Sequence, residues 1–124
     1  MDGKTVTVTM GDGYYTTAKS RTHTWHADLL EESGGTDNAP TPEELVMGTL
    51  GSCMAQTAKL YAARKGWQID RIEIALNFER FNGRDYADYD GNASFVHEIR
   101  EHIVVEGPLD DEQKQRIIKI MGKC

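Results

Sequence analysis

The chain has 124 residues, 39% of them hydrophobic, and a formal net charge of −6 at pH 7. This length favours a single domain, 1–124, with an ordinary hydrophobic core. The acidic balance argues against nucleic acid as a main partner, because phosphate binding needs a basic surface. No apolar run reaches the roughly 20 residues that span a bilayer, so no membrane partner is expected.

The N-terminal third predicts strands followed by a polar loop. Residues 5–10 alternate with period two in β-branched residues and predict a strand. The Gly11-Asp12-Gly13 turn signal follows, and residues 14–18 and 22–28 predict two further strands. Residues 31–40 are polar and predict a loop. Because the first residues lack the apolar core of a signal peptide, we expect a cytoplasmic protein.

A long helix is predicted next, over residues 42–65. Thr41 and Glu44 form a capping-box pattern, and Pro42 suits the first helical position. Gly66 is typical of a helix end. Because apolar residues lie on every face, the helix should be buried all round, which is more than one sheet can achieve. A partner chain would cover the rest, so we expect a homodimer built around this helix.

The C-terminal half predicts two strands and an amphipathic helix. Residues 69–81 alternate well, residues 82–92 form a polar loop, and residues 95–105 return as a strand with imperfect alternation. Residues 109–121 predict a helix that is apolar on one side. The element order βββ-α-ββ-α predicts an α+β fold with antiparallel strands.

The two cysteines allow two interpretations. Cys53 lies on the long helix and Cys124 follows the last one, with a spacing typical of neither a CxxC motif nor a zinc site. They could be an attacking and a resolving thiol, or a small core residue and an unrelated exposed thiol. The His23–Asp28 stretch offers too few ligands on one strand face for a metal, so no metal is expected. The sequence has no P-loop and no G-x-G-x-x-G motif, and no cofactor is expected either.

Two blocks of the sequence carry a family resemblance. The run from Gly34 to Leu45 and the run Leu50-Gly51-Ser52-Cys53 strongly resemble the osmotically inducible protein C (OsmC) and organic hydroperoxide resistance superfamily. Residues 61–67 and 106–113 support the match. The resemblance implies antiparallel sheets wrapped around a long central helix in an intertwined homodimer. It also implies an antioxidant stress-response enzyme, a thiol-dependent peroxidase that reduces organic hydroperoxides at the dimer interface.

The resemblance also implies roles for individual residues. Cys53 matches the family's peroxidatic cysteine, Cys124 its resolving cysteine and Glu43 its catalytic glutamate. Arg21 is the only arginine before the long helix, so it is nominated as the catalytic arginine. The reductant would be a dithiol of unspecified identity. The alternative is a non-enzymatic OsmC-like dimer that binds a small apolar ligand or senses oxidants.

The nominated residues make physical sense as a group. The thiolate is the reactive form of cysteine, a nearby guanidinium favours it, and a carboxylate can hold that guanidinium in place. Ten helical residues, however, separate Glu43 from Cys53 by roughly 15 Å. They meet only if the helix breaks at Gly48 or Gly51, or if the glutamate comes from a partner subunit. Without the resemblance, Glu43 would be interpreted as a first-turn carboxylate that interacts favourably with the helix dipole, and Arg21 as a surface residue.

Overall fold

The computed structural model describes the backbone of residues 3–82 and 95–124, and the side chains of residues 3–79 and 98–124. Most of the predicted 82–92 loop lies outside the described residues. The elements are β1 (Thr7–Met10), β2 (Thr16–Ser20), β3 (His23–Ala27), a 3-10 turn (Glu31–Ser33), α1 (Pro42–Lys65), β4 (Arg71–Asn82), β5 (Phe95–Glu106) and α2 (Asp111–Met121). The fold is α+β, as predicted.

The chain divides into two compact units, Met1–Val46 and Met47–Cys124. The first unit, here the N-terminal unit, carries an antiparallel sheet in the order β1-β2-β3. The second, the C-terminal unit, carries the antiparallel pair β4-β5 and α2. Within the described residues no helix is long and apolar enough to cross a membrane.

The second strand lies two residues later than predicted. Ser20 pairs with His23, so Arg21 and Thr22 alone connect β2 to β3. Arg21 has a φ of 54°, which a tight hairpin requires of one of its connecting residues. The sequence has no glycine at that turn and so gives no local signal for it. For this reason the predicted strands, 14–18 and 22–28, do not end where β2 and β3 do.

A buried carboxylate orders the loop that follows β3. Asp28 is 2% exposed and accepts hydrogen bonds from the Thr36 hydroxyl at 2.6 Å and the Asn38 backbone N–H at 3.1 Å. It also accepts from the backbone N–H groups of Leu29 and Thr36. These bonds hold the pKa of Asp28 at about 2, below its ordinary 3.8, because they favour the charged form. Gly35 fits here because a Cβ would approach the Leu29 carbonyl oxygen to 2.1 Å.

Local signals set both ends of α1 as predicted. The Glu44 N–H donates to the Thr41 hydroxyl, and the Glu44 carboxylate accepts from the Thr41 N–H. At the other end Gly66 has a φ of +74°. Its N–H and that of Trp67 donate to carbonyls of the last helical turn, and the Trp67 ring packs edge-on against Tyr61 with centroids 5.8 Å apart. This is a Schellman ending with its hydrophobic contact.

The hydrophobic core lies in the C-terminal unit. One face of α1 contributes Met54, Ala58 and Ala62, each 2% exposed or less and spaced four residues apart. Small alanines let neighbouring elements approach the helix. The cluster is completed by Ile69, Val105, Ile117 and Met121. The predicted alternation of β4 is confirmed: Ile72, Ile74, Leu76 and Phe78 are half-buried between exposed neighbours.

The prediction that α1 is buried all round is not met within one chain. Val46 and Leu60 are 62% and 61% exposed, and Cys53 is exposed as well. The described part of the chain covers only the stripe that runs through Met54. The apolar residues on the other side of α1 are therefore open to a partner.

Candidate functional site

The structure brings the two thiols together. Cys53 lies in the middle of α1, and Cys124 follows the end of α2. Their sulfur atoms are 3.7 Å apart, although 71 positions separate the two residues in the sequence. Both cysteines are free and exposed. The two cysteines that the resemblance pairs are therefore in contact in the folded chain.

The core positions these thiols from both sides. Cys53 precedes the buried Met54, so it sits at the margin of the core stripe of α1. From α2, Ile117 and Met121 anchor the helix in that same core. A last turn continues beyond α2, and the Cys124 N–H donates to the Met121 carbonyl at 3.2 Å. The contact between the thiols is therefore set by the packing of α2 on α1.

Thr57 is a third member of this site that the sequence did not reveal. Its Oγ1 lies 3.5 Å from the Cys124 Sγ. Residues four apart share a helix face, so Thr57 lies one turn beyond Cys53 on the same side of α1. The i, i+4 spacing of Cys53 and Thr57 points to Thr57 only after Cys124 has been placed beside α1.

The helix does not break between the nominated glutamate and the thiol. α1 is continuous from Pro42 to Lys65, past Gly48 and Gly51. Gly51 instead permits a close approach, since a Cβ there would lie 3.2 Å from a Leu76 methyl. Ten residues of unbroken helix rise about 15 Å, so Glu43 and Cys53 do not meet along one helix.

Glu43 and Arg21 both belong to the N-terminal unit. Glu43 is exposed in the first turn of α1, and Arg21 is exposed at the tip of the β2–β3 hairpin. A non-glycine residue with positive φ is uncommon and marks a position worth testing for function. The roles assigned to these two residues stay predictions.

A groove lies elsewhere on the C-terminal unit, between α1 and the start of β4. Its volume is about 630 Å³, and its lining does not include the thiols. It is lined by Ala55, Gln56, Lys59, Leu60, Asp70, Arg71 and Ile72. Glu73 and Glu106 lie 2.9 and 3.0 Å from the Arg71 guanidinium and, with Glu73 the stronger influence, raise its pKa.

The chemistry of the site follows from its side chains. An oxidant that takes up two electrons and two protons can join these thiols in a disulfide, because the sulfurs need only move from 3.7 Å to the bond length of about 2.05 Å. Over the described residues, no group of three or more histidine, cysteine or acidic side chains could hold a metal ion. The arrangement therefore supports thiol oxidation and reduction.

The sequence matches one protein family. The model of the family described as OsmC-like protein matches residues 35–124, which include both cysteines. A search of the curated proteins found no match.

Solved structures with the same fold are also similar to this chain. A Psychrobacter arcticus protein of the osmotic stress and detoxification response is 20% identical with a TM-score of 0.78, over 100% of this chain and 86% of that one. An OsmC-like protein of Mycoplasma pneumoniae is 18% identical with a TM-score of 0.78, over 98% and 82%. An organic hydroperoxide resistance protein of Legionella pneumophila is 11% identical with a TM-score of 0.70, over 99% and 84%. At these identities the likeness shows the fold.

Proposed function

Because the chain belongs to the OsmC-like family, we propose that it is a thiol peroxidase that reduces organic hydroperoxides through Cys53 and Cys124. The observation that carries the proposal is the 3.7 Å contact between the two sulfur atoms. Two cysteines 71 positions apart, one on α1 and one after the end of α2, have no structural need to meet. The family includes organic hydroperoxide resistance proteins, which supports an antioxidant role in the stress response.

The cycle needs three balanced steps. The Cys53 thiolate attacks the distal oxygen of the hydroperoxide; an S–O bond forms, the O–O bond breaks, and the alkoxide leaves as an alcohol after taking a proton. Cys53 is now a sulfenic acid. The Cys124 thiolate attacks its sulfur; an S–S bond forms, the S–O bond breaks, and hydroxide leaves as water. An external dithiol then reduces the disulfide by exchange and is itself oxidised.

The resolving step protects the enzyme. A sulfenic acid left exposed to peroxide proceeds to sulfinic acid, which is usually a dead end. Cys124 is already in contact with Cys53, so resolution requires no large rearrangement. We assign the cycle to the cytoplasm, where thiols are kept reduced.

The site is proposed to be complete only in a homodimer. The apolar Val46 and Leu60 on α1 are exposed in one chain, which supports a partner on that side. In such a dimer, Glu43 of the partner subunit and an arginine, for which Arg21 is the nominee, would stabilise the Cys53 thiolate. Sedimentation equilibrium should give a dimer at micromolar concentration, and Leu60→Glu should give a monomer. A stable wild-type monomer would refute the dimer.

The activity itself is tested by peroxide consumption. Wild-type protein with a dithiol reductant should consume cumene hydroperoxide in repeated turnovers. Cys53→Ser should lose the activity, and Cys124→Ser should become inactivated as Cys53 gains two or three oxygens. In the wild type, mass spectrometry should show the loss of two hydrogens after one equivalent of peroxide. Turnover that survives Cys53→Ser would sink the proposal.

The groove on the C-terminal unit supports a second candidate function, which is binding of a small apolar ligand without turnover. Its volume of about 630 Å³ is within the range of ligand sites, and Leu60 and Ile72 supply apolar wall. Equilibrium binding of a fluorescent apolar probe, compared between wild type and Leu60→Gln, tests this function. If ligand binding is the function, Cys53→Ser should leave probe binding unchanged, and the wild-type protein should consume no hydroperoxide.

A further inference from the structure

We propose that Thr57 is a positioning residue for disulfide formation, holding the Cys124 sulfur against Cys53 through a hydroxyl–sulfur hydrogen bond. The inference deepens the proposed function, since it concerns the step in which Cys124 resolves oxidised Cys53. It stands on two distances that meet at one atom. The Cys124 Sγ is 3.5 Å from the Thr57 Oγ1 and 3.7 Å from the Cys53 Sγ.

Helix geometry places the hydroxyl where this role needs it. Thr57 is four residues after Cys53, so both side chains project from the same face of α1 toward the end of α2. On its own side, the backbone of Cys124 is held by the turn after α2, where its N–H donates to the Met121 carbonyl. A side chain on α1 that contacts its sulfur fixes the remaining freedom, which is rotation of the thiol toward or away from Cys53.

The residue type also fits. Thr57 is half-buried in a helical segment that also carries Ala55, Ala58 and Ala62. A β-branched residue there has lower helix propensity than alanine, so helix propensity gives no reason to prefer it. Its hydroxyl can accept from the Cys124 thiol and donate to the thiolate that replaces it. It can therefore contact the sulfur before and during attack.

The role is specific to one bond. When Cys124 attacks the sulfenic sulfur of Cys53, the S–S bond forms and the S–O bond breaks, with hydroxide leaving as water. Thr57 exchanges no atoms or electrons in this step. Its effect should be on the rate of S–S bond formation, whichever sulfur carries the leaving group.

The test isolates that bond from peroxide chemistry. Reduced protein is given a substoichiometric amount of dithiobis(nitrobenzoate), which forms a mixed disulfide and releases one thionitrobenzoate. Attack by the second thiol then releases another, and absorbance follows its rate. Thr57→Val keeps the side-chain shape and removes the hydroxyl. It should slow the second release about two- to tenfold, the loss expected for one ordinary hydrogen bond.

Matched variants separate the hydroxyl from packing. Thr57→Ser keeps the hydroxyl and should show the wild-type rate, and Thr57→Ala should be as slow as Thr57→Val. Ser52→Ala removes a neighbouring hydroxyl that donates to the Gly48 carbonyl and should change nothing. Thermal melting checks that the variants are equally folded.

The outcomes are distinguishable from failure of the proposed function. A Thr57-dependent second release in a protein that consumes no hydroperoxide would uphold the inference and remove the peroxidase. Peroxide turnover with equal closure rates in all Thr57 variants would do the reverse. A second release as slow in Thr57→Ser as in Thr57→Val, or no second release in the wild type, would also overturn the inference.

Discussion

The two units of the molecule are ordered by different forces. The C-terminal unit buries a continuous apolar cluster around Met54 and Ile117. Among the described residues of the N-terminal unit, the buried ones are Ala18 and the carboxylate Asp28. All of β1 is exposed, including Val8 and Met10. The C-terminal unit therefore relies on apolar burial, whereas the N-terminal unit relies on strand pairing and on hydrogen bonds to Asp28, and the apolar side chains of β1 stay exposed.

The largest effect expected is from truncating the core of the C-terminal unit. Ile117→Ala removes a fully buried side chain on α2, next to Met121. The loss of transfer free energy and the cavity left behind should lower the free energy of unfolding by about 2–5 kcal/mol. Guanidinium denaturation followed by circular dichroism measures it. Disulfide formation between the two cysteines should slow as well, since α2 positions the turn that holds Cys124.

Ile99→Ala is the matched control for that substitution. Ile99 is 44% exposed on β5, so the same change should lower the free energy of unfolding by about 1 kcal/mol or less. Equal effects at Ile99 and Ile117 would contradict the assignment of the core to this cluster.

The next effect is local to the N-terminal unit. Asp28→Ala leaves the Thr36 hydroxyl and the Asn38 N–H without their acceptor, so the loop between β3 and α1 should open. Hydrogen exchange should speed up at Thr36 and Asn38 while the amides of α2 keep their protection. If exchange rose equally in both units, they would unfold together, and the conclusion that they are stabilised independently would be wrong.

Acid should reproduce the same opening in the wild type. The pKa of Asp28 is about 2 in the folded chain and 3.8 when free, chiefly because the Thr36 hydroxyl donates to the carboxylate. A lowered folded pKa contributes stability that is complete above 3.8 and is lost as the pH falls through about 2. Exchange rates in the 29–40 loop should therefore rise across that window. Asp28→Asn should remove this step, and an unchanged acid profile in that variant would assign it to other carboxylates.

The smallest effect tests whether the open sheet is covered in solution. Val8→Thr changes an exposed strand residue while keeping its β-branched shape, so a chain on its own should lose about 0.5 kcal/mol or less. If a second copy packs there, the loss should be larger and the unfolding midpoint should depend on protein concentration. Denaturation at two protein concentrations decides between these results.

Local signals predicted what local interactions determine. Thr41 and Glu44 set the start of α1 and Gly66 its end, because caps form within one turn. The helix after residue 109 was predicted two residues early. Asp110 is instead its N-cap, and its carboxylate accepts from the Gln113 N–H at 2.8 Å.

Long-range contacts set the rest, and spacing does not encode them. The thiol contact spans 71 positions and was expected only through the family resemblance. The Asp28 network joins residues 8 and 10 positions apart across an irregular loop, where no periodicity applies. Thr57 looks like an ordinary helical residue until α2 is placed beside it. The roles of the Asp28 carboxylate and the Thr57 hydroxyl were not predicted, because both depend on contacts between residues that are distant in the sequence.

The contact between Cys53 and Cys124 has a consequence for redox energetics. A disulfide there would close a loop spanning 71 positions and restrict the unfolded chain, which corresponds to about 4 kcal/mol in the chain-entropy model. By the thermodynamic cycle that links folding and oxidation, the fold must stabilise the disulfide by the same amount. The reduction potential of the native pair then lies on the order of 90 mV below that of the unfolded chain. In the proposed cycle, the dithiol that reduces this bond would therefore have to be correspondingly more reducing than one that reduces the same disulfide in the unfolded chain.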